Sequence, residues 1–360
     1  MTAPARRDPT QPGIAVIIPN RNDSRYLARC LRSVLEQDDP PDEVIVVDDQ
    51  SSDASVPLIR SLIAPYTQAR LIESAVNLGT YGAVDKGLAE VKSEYVLFLS
   101  ANDFVLPGLF ARARSCLAAH PGAGLWSAMG WLVDEDDRVL RLHVSPVIAL
   151  HDAYVPPEDC ASLAYRVGNW FVGSTVVYHR ATLEAAKRFD PAYLGLADLV
   201  AAWIVAATRG AAYSPRPFGA NRLHGTSNLS KTLTASENLE RILERLAAGG
   251  LPAGSALASP GFLERLALRM RFATVRATRG ASLAAVAAKY GGLRGAALRA
   301  LDRLVPAALG RTRVVLAFPV LCGFDLLPTL WNRLLGSLAV RCLLRLRGER
   351  DYAPAPGPRA

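Results

Sequence analysis

Short apolar runs that end in polar residues recur along the first third of the chain. Ile14 to Ile18 is stopped by Pro19 and Asn20, Glu43 to Val47 ends in Asp48 and Asp49, and Tyr95 to Leu99 ends in Ser100, Ala101, Asn102 and Asp103. Leu71 and Ile72 make a briefer pair. Such runs, rich in Val and Ile, predict strands buried on both faces of a sheet. Between them the period changes. Tyr26, Leu27, Leu31, Val34 and Leu35 follow the polar group Asn22, Asp23, Ser24 at helical spacing, and Ile59 and Leu62 follow Asp53 in the same way. A further helix is predicted from Tyr81 to Val91 after the turn at Asn77 to Gly79, and Pro107 marks the opening of another. Strands alternating with helices predict βαβ units and a mostly parallel sheet.

In such sheets ligands bind beyond the carboxyl ends of the strands, which is where Asp48, Asp49, Asn102 and Asp103 fall. Asp103 has two readings, as a ligand of a divalent cation or as a cap of the helix near Pro107. Three carboxylates at neighbouring strand ends repel one another unless a cation or hydrogen-bond donors compensate, and a nucleotide with its metal supplies both. After Met129 the pattern changes. The acidic turn Asp134 to Asp137 reads as a solvated hairpin leading to a strand-like Val139 to Val144. Trp170 and Phe171 suit either a sugar-stacking platform or the core. By position alone, Asp198 is equally the cap of the apolar helix through Trp203 and Ile204 or a general base.

Four segments together carry a resemblance: IAVIIPN from Ile14, VIVVDDQSSD from Val44, NLGTYGAVDKG from Asn77 and YVLFLSANDFVLPGL from Tyr95. In order and spacing they resemble family 2 glycosyltransferases, inverting enzymes of bacterial cell-surface glycan synthesis. The resemblance implies an α/β fold of GT-A type: a Rossmann-like nucleotide-sugar-binding, mostly parallel sheet flanked by helices, with a helical C-terminal region. Taken with the composition of the remainder, it divides the chain into a disordered N-terminus (1–12), a GT-A domain (13–235, split into a nucleotide-sugar half to 130 and an acceptor half from 131), a basic helical region (236–352) and a disordered tail (353–360).

The resemblance also implies roles. Pro19, Asn20, Asp48, Asp49, Asn77, Lys86, Asn102 and Arg222 fall to the nucleotide-sugar donor, Arg222 as a partner of its diphosphate. Asp103, Asn102 and His224 fall to a divalent metal, Mg²⁺ or Mn²⁺, and Asp198 to the catalytic base. The chain departs from the family at three places. Ser100 and Asn102 stand where acids are usual, Val84 and Asp85 replace an Arg-Asn pair, and Ala197 replaces an acid beside Asp198. An Asn carbonyl can ligate a hard cation but brings no charge.

Charge refines the picture. The chain of 360 residues carries a net +8, yet the stretch from Phe262 to Arg350 alone holds 16 Lys and Arg against four acids, leaving the remainder acidic. Nucleic acid is not expected as a partner, because this basic stretch has few aromatics and no recognition motif. Within it Val314 to Leu335 is the most apolar part, but Pro319, Asp325, Pro328 and Arg333 interrupt it as a spanning helix. The arginines at 311, 313, 341, 345 and 347 suit a peripheral segment on an anionic membrane, or a solvated helical subdomain. Five cysteines without metal-ligand spacing, and no signal-like apolar run ahead of Ile14, suggest reduced thiols in the cytoplasm.

The expected function is transfer of a sugar from a nucleotide-diphosphate sugar to a glycan or lipid-linked acceptor, metal-dependent and inverting, at the cytoplasmic face of the inner membrane. The alternative is a non-catalytic nucleotide-sugar-binding or scaffold protein of a polysaccharide assembly complex. A nucleotidyltransferase would need a phosphate-grasping loop after the first strand, and Pro19 to Asp23 is not one.

Overall fold

The computed structural model describes residues 11–143, 145–223, 228–251, 255–323 and 335–346. Its first half alternates: β1 (Ile14–Asn20), α1 (Ser24–Leu35), β2 (Glu43–Asp48), α2 (Ser55–Ile63), β3 (Ala69–Glu73), α3 (Gly79–Leu88), β4 (Tyr95–Phe98), β5 (Phe104–Val105) and α4 (Leu109–Ala119). There follow β6 (Leu125–Val133), β7 (Val139–Leu142), β8 (Ala153–Val155), α5 (Pro157–Val167), β9 (Val177–His179), α6 (Arg180–Ala185), α7 (Ala197–Arg209) and β10 (Ala211–Arg222). The remainder is helical: α8 (Asn228–Thr234), α9 (Ser236–Arg245), α10 (Pro260–Ala277), α11 (Leu283–Ala287), α12 (Gly292–Leu304), α13 (Gly310–Cys322) and α14 (Ser337–Leu346).

One sheet runs in the order β3-β2-β1-β4-β9-β6-β10-β5, with β7 on β6 and β8 on β10. β3, β2, β1 and β4 are mutually parallel; β9 enters antiparallel between β4 and β6, and β10 runs parallel to β6. The continuous apolar runs are explained by burial on both faces. Ala15, Ile17, Ile45, Val47 and Val96 point into one core, while Ile14, Val16, Ile18, Val44, Val46 and Leu97 point into the other. Each Val, Ile or Leu among them contributes about 1.5–3 kcal/mol when fully buried, which fixes strand register as well as stability.

Helix α1 covers one face through Leu27, Leu31 and Val34, and α3 and α7 cover the other. Gly87 lets α3 approach closely, since a methyl built there would lie 2.8 Å from the Ile17 side chain and 3.1 Å from that of Val47. The basic region does not begin with a break in the core: Leu239, Ile242, Phe262 and Leu266 share the cluster of α7. A third cluster forms only from α10 onward, through Leu268, Val275, Leu283, Leu298 and Leu321.

The stretch 191–209 is apolar and long enough to cross a membrane, but half of it is buried in the protein. α12 and the segment 307–322 meet at a bend of 115°. The expected tail 353–360, most of the expected disordered N-terminus, and the second half of the apolar stretch 314–335 lie outside the described residues.

Candidate functional site

The carboxyl ends of β1, β2 and β4 open on one side of the sheet, and their polar residues are tied together before any ligand is considered. Asn20 Nδ2 donates to Asp48 Oδ2 at 2.7 Å and to Ser51 Oγ at 3.1 Å, while the Ser51 N–H donates to Asp48 Oδ1 at 2.9 Å. Asn20 Oδ1 is buried without a protein partner, so the end of β1 presents an acceptor that a ligand N–H or O–H would satisfy. Asp49 accepts from the N–H groups of Leu78 and Gly79 at 2.6 and 2.9 Å, joining β2 to the start of α3. Asn77 Oδ1 accepts from the Gly79 N–H at 3.0 Å in the same turn. Lys86, one helix face away, donates to the Glu73 carbonyl at 3.2 Å.

Asp53, and not a side chain of the polar group Asn22, Asp23 and Ser24, caps the start of α1. It accepts from the Ser24 N–H at 3.1 Å and the Ser55 N–H at 2.9 Å, so one carboxylate caps α1 and α2 together. Burial pushes its pKa up, but the hydrogen bonds from Ser55 and Ser24 outweigh it and hold the group at about 2.

Asp103 is not a helix cap. Helix α4 begins only at Leu109, after Gly108 at φ 83°, and the Asp103 carboxylate points the other way. Its Oδ1 accepts from the Arg222 backbone N–H at 2.8 Å and its Oδ2 from Asn221 Nδ2 at 3.0 Å. Burial lifts its pKa to about 6 against those two hydrogen bonds and the Arg222 charge. The three strand-end acids thus have protein donors, and their mutual repulsion does not by itself call for a nucleotide.

Asp198 lies in the first turn of α7, one residue inside the helix. Oδ1 accepts from the Leu199 N–H at 2.8 Å, and a methyl built on Gly173 would sit 3.5 Å from Oδ2. The protein mass around it raises its pKa, with the Leu199 N–H opposing, although the side chain opens to solvent. Asp198 and Asp103 border the same wall. Ser174, next to Gly173, donates to Asn221 Oδ1 at 2.9 Å, and Asn221 donates in turn to Asp103.

Two expectations are corrected. Arg222 does not offer its guanidinium to a diphosphate: Nε donates to the Asn102 carbonyl at 2.9 Å, one terminal nitrogen to the Asp134 carbonyl at 2.8 Å and the other to Asp137, and the plane lies 4.3 Å from the Tyr26 ring centroid. The turn 134–137 is not wholly solvated, because Asp137 is buried at φ 64° to meet Arg222, with Arg29 4.0 Å away. Only Glu135 and Asp136 are exposed, where they pair with Arg25. Of the two readings of Trp170 and Phe171 the core holds: they are 1% and 4% exposed, pack on each other, and Trp170 packs on Tyr213.

His224 lies outside the described residues. Among those described, no three His, Cys, Asp or Glu side chains form a metal cage. The donor set still fits a hard cation of one kind. Each Asp103 oxygen keeps a free lone pair, and Mg²⁺ or Mn²⁺ is commonly held by one or two carboxylates together with phosphate oxygens and water.

The chain is similar to proteins named as glycosyltransferases. Residues 15–124 match the family described as Glycosyl transferase family 2. An uncharacterized glycosyltransferase of Nostoc sp. is 31% identical over 188 residues, 49% of this chain and 54% of the relative. The GalNAc(5)-diNAcBac-PP-undecaprenol beta-1,3-glucosyltransferase of Campylobacter jejuni is 25% identical over 64% of this chain and 71% of its own. The succinoglycan biosynthesis protein ExoO of Rhizobium meliloti is 28% identical over 50% and 52%. The chain thus spans about half the length of the Nostoc and Rhizobium relatives. Among solved structures, the Pyrobaculum calidifontis mannosyltransferase PcManGT, in complex with GDP-Man and Mn²⁺, aligns over 89% of both chains at TM-score 0.52 and 18% identity. S. aureus TarS aligns over 86% of this chain and 54% of its own at TM-score 0.52 and 16% identity. These likenesses show the GT-A fold.

Proposed function

We propose that the protein is an inverting glycosyltransferase that moves a sugar from a nucleotide-diphosphate sugar to a glycan or lipid-linked acceptor in bacterial cell-surface polysaccharide synthesis. The observation that carries this reading is the wall shared by Asp103 and Asp198, joined through Asn221, Ser174 and Gly173. In this reading one carboxylate serves the leaving group and the other the nucleophile, and inversion follows from their acting on opposite faces of the anomeric carbon.

In this reading Asn20, Asp48 and Asp49 receive the nucleoside, with Asn20 Oδ1 accepting a ligand proton. Asp103 would hold Mg²⁺ or Mn²⁺, with Asn102 and His224 as the resemblance implies, and the ion, when bound, would neutralise charge on the departing diphosphate. PcManGT, solved with Mn²⁺, supports that assignment by analogy of fold. Asp198 Oδ1 is fixed by Leu199, which leaves Oδ2 toward the cleft. Oδ2 takes the proton of the acceptor hydroxyl while that oxygen bonds to the anomeric carbon. The bond from the carbon to the diphosphate oxygen breaks on the opposite face, and its electron pair leaves with the diphosphate. The raised pKa of Asp198 makes it a better proton acceptor than an ordinary aspartate.

The enzyme would work at the cytoplasmic face of a membrane. Leu293, Leu304, Leu309 and Val315 are 91%, 80%, 52% and 68% exposed on α12, α13 and the bend between them, interleaved with exposed Arg299, Arg303 and Arg311. Apolar side chains among cations match an anionic lipid surface. The reading is tested by incubating the protein with Mn²⁺ and UDP-, GDP- and dTDP-sugars and following release of the nucleoside diphosphate, with the Asp198→Asn variant alongside. Release that depends on Asp198 supports an enzyme. Donor binding without release, whatever acceptor is added, favours the scaffold.

A further inference from the structure

Helix α7, which carries Asp198 in its first turn, has no side-chain cap at Leu196. A tyrosine distant in sequence stands in. Tyr81, in the first turn of α3, reaches the 3₁₀ segment Pro191–Leu196 and donates its hydroxyl to the Leu194 carbonyl at 2.5 Å. Burial and then the Asp198 charge raise the pKa of that hydroxyl, with the Ala197 N–H opposing. It therefore stays a donor, and it stands at the entry of α7 beside the candidate base.

Leu194 is held in a backbone conformation that suits glycine. Its φ of 48° and ψ of −134° break the 3₁₀ segment, and a Cβ at such a φ crowds the backbone. Its side chain is exposed, so little packing compensates the strain. A residue keeps such a backbone only where its surroundings hold it. Tyr81 holds the Leu194 carbonyl, and Thr232 Oγ1 accepts from the next N–H, that of Gly195, at 3.0 Å. The Tyr81 ring is itself braced. Its centroid lies 6.1 Å from that of Phe189, and Phe189 packs edge-on at 5.8 Å against Tyr178, whose hydroxyl donates to the Asp198 carbonyl at 3.3 Å. Two tyrosines on one aromatic cluster thus grip the chain on either side of Ala197. Because the Leu199 N–H fixes Asp198 Oδ1, this backbone frame decides where Oδ2 points. A base must stand within hydrogen-bond reach of the proton it takes, and a displacement of about 1 Å can cost about 10²-fold in rate.

We propose that Tyr81 is a positioning residue for transfer: through the Leu194 carbonyl it sets the entry of α7, and so the direction of the Asp198 carboxylate. The role in transfer rests on the reading of Asp198 as the base, but the hold on the turn does not and is measured without turnover.

The test compares wild type, Tyr81→Phe, Leu194→Gly, the double variant and Asp198→Asn as full chains. Amide hydrogen exchange over 194–199, donor binding by calorimetry and nucleoside diphosphate release at saturating donor are read for each. Tyr81→Phe keeps the ring on Phe189; it is expected to speed exchange in the turn and to slow release, each about tenfold, with the donor dissociation constant unchanged. Glycine takes φ 48° without strain. In the Leu194→Gly background, removing the hydroxyl is therefore expected to slow release by less than about threefold. Unchanged exchange in Tyr81→Phe, faster exchange with unchanged release, a parallel loss of donor binding, or an equal rate loss in both backgrounds overturns the proposal. If Asp198→Asn still slows release after such a result, the base reading stands without Tyr81. Release by Asp198→Asn at the wild-type rate, or a wild type that releases nothing, removes the base reading and the positioning role together, and the exchange still decides whether Tyr81 holds the turn.

Discussion

Arg222 grips the loop that carries Asp103 at two points: its backbone N–H donates to Asp103 Oδ1 at 2.8 Å and its Nε to the Asn102 carbonyl at 2.9 Å. The rest of the guanidinium is spent on Asp134 and Asp137, so one side chain locks the end of β4, the β6–β7 hairpin and β10 together. Lysine cannot reproduce that fork. Arg222→Lys is expected to cost about 3 kcal/mol in urea unfolding, the range for breaking a buried charge pair, and to weaken metal-dependent donor binding. Wild-type unfolding and binding in that variant would show that the loop holds itself.

Asp103 gives the metal-free protein a particular pH dependence. Its folded pKa of about 6 lies above the ordinary carboxylate value, so the folded state binds this proton more tightly than the unfolded chain. The contribution to stability is present in full below about pH 4 and is lost as pH rises to about 6. Relative to wild type, Asp103→Asn should therefore gain stability across that window and level off above it. Urea titrations at half-unit pH steps measure this, and a difference that is flat with pH contradicts the burial of Asp103.

Asp198→Asn keeps the shape and loses the proton acceptor. Turnover is expected to fall by about 10²–10⁴, the usual worth of a general base, with the donor dissociation constant unchanged. Equal turnover removes Asp198 from the mechanism, and a parallel loss of donor binding reassigns it to positioning.

The sequence made the parallel half of the sheet readable because its strands are buried on both faces and end abruptly in polar residues. Asp48, Asp49 and Asp103 are at strand ends for that reason. What escaped was long-range pairing. Nothing local distinguishes Arg222, buried by partners 85 to 120 residues away, from an arginine free to meet a phosphate. Asp137 sits in an acidic run that reads as solvated, and only the fold reveals that one of the four residues turns inward. Asn221 carried no signal, although it is the bridge between Asp103 and Ser174. Trp170 and Phe171 were ambiguous because aromatic residues serve cores and sugars alike.

The cationic apolar surface of α12 and α13 predicts binding to phosphatidylglycerol vesicles over phosphatidylcholine, weakened by salt. Each arginine near a lipid surface is worth about 1 kcal/mol, so Arg299→Glu/Arg303→Glu should lower the partition at least about tenfold. Cosedimentation reads this directly. Equal binding to both lipids would mean that the arginines are merely solvated.

The most direct test of the whole account is calorimetric titration of UDP-, GDP- and dTDP-sugars into wild type and Asp103→Ala, each with and without Mn²⁺. The account predicts one nucleotide class that binds wild type only with the metal, and loss of that metal-dependent binding in the variant. Donor binding that ignores both Mn²⁺ and Asp103, or no binding of any donor, would contradict it.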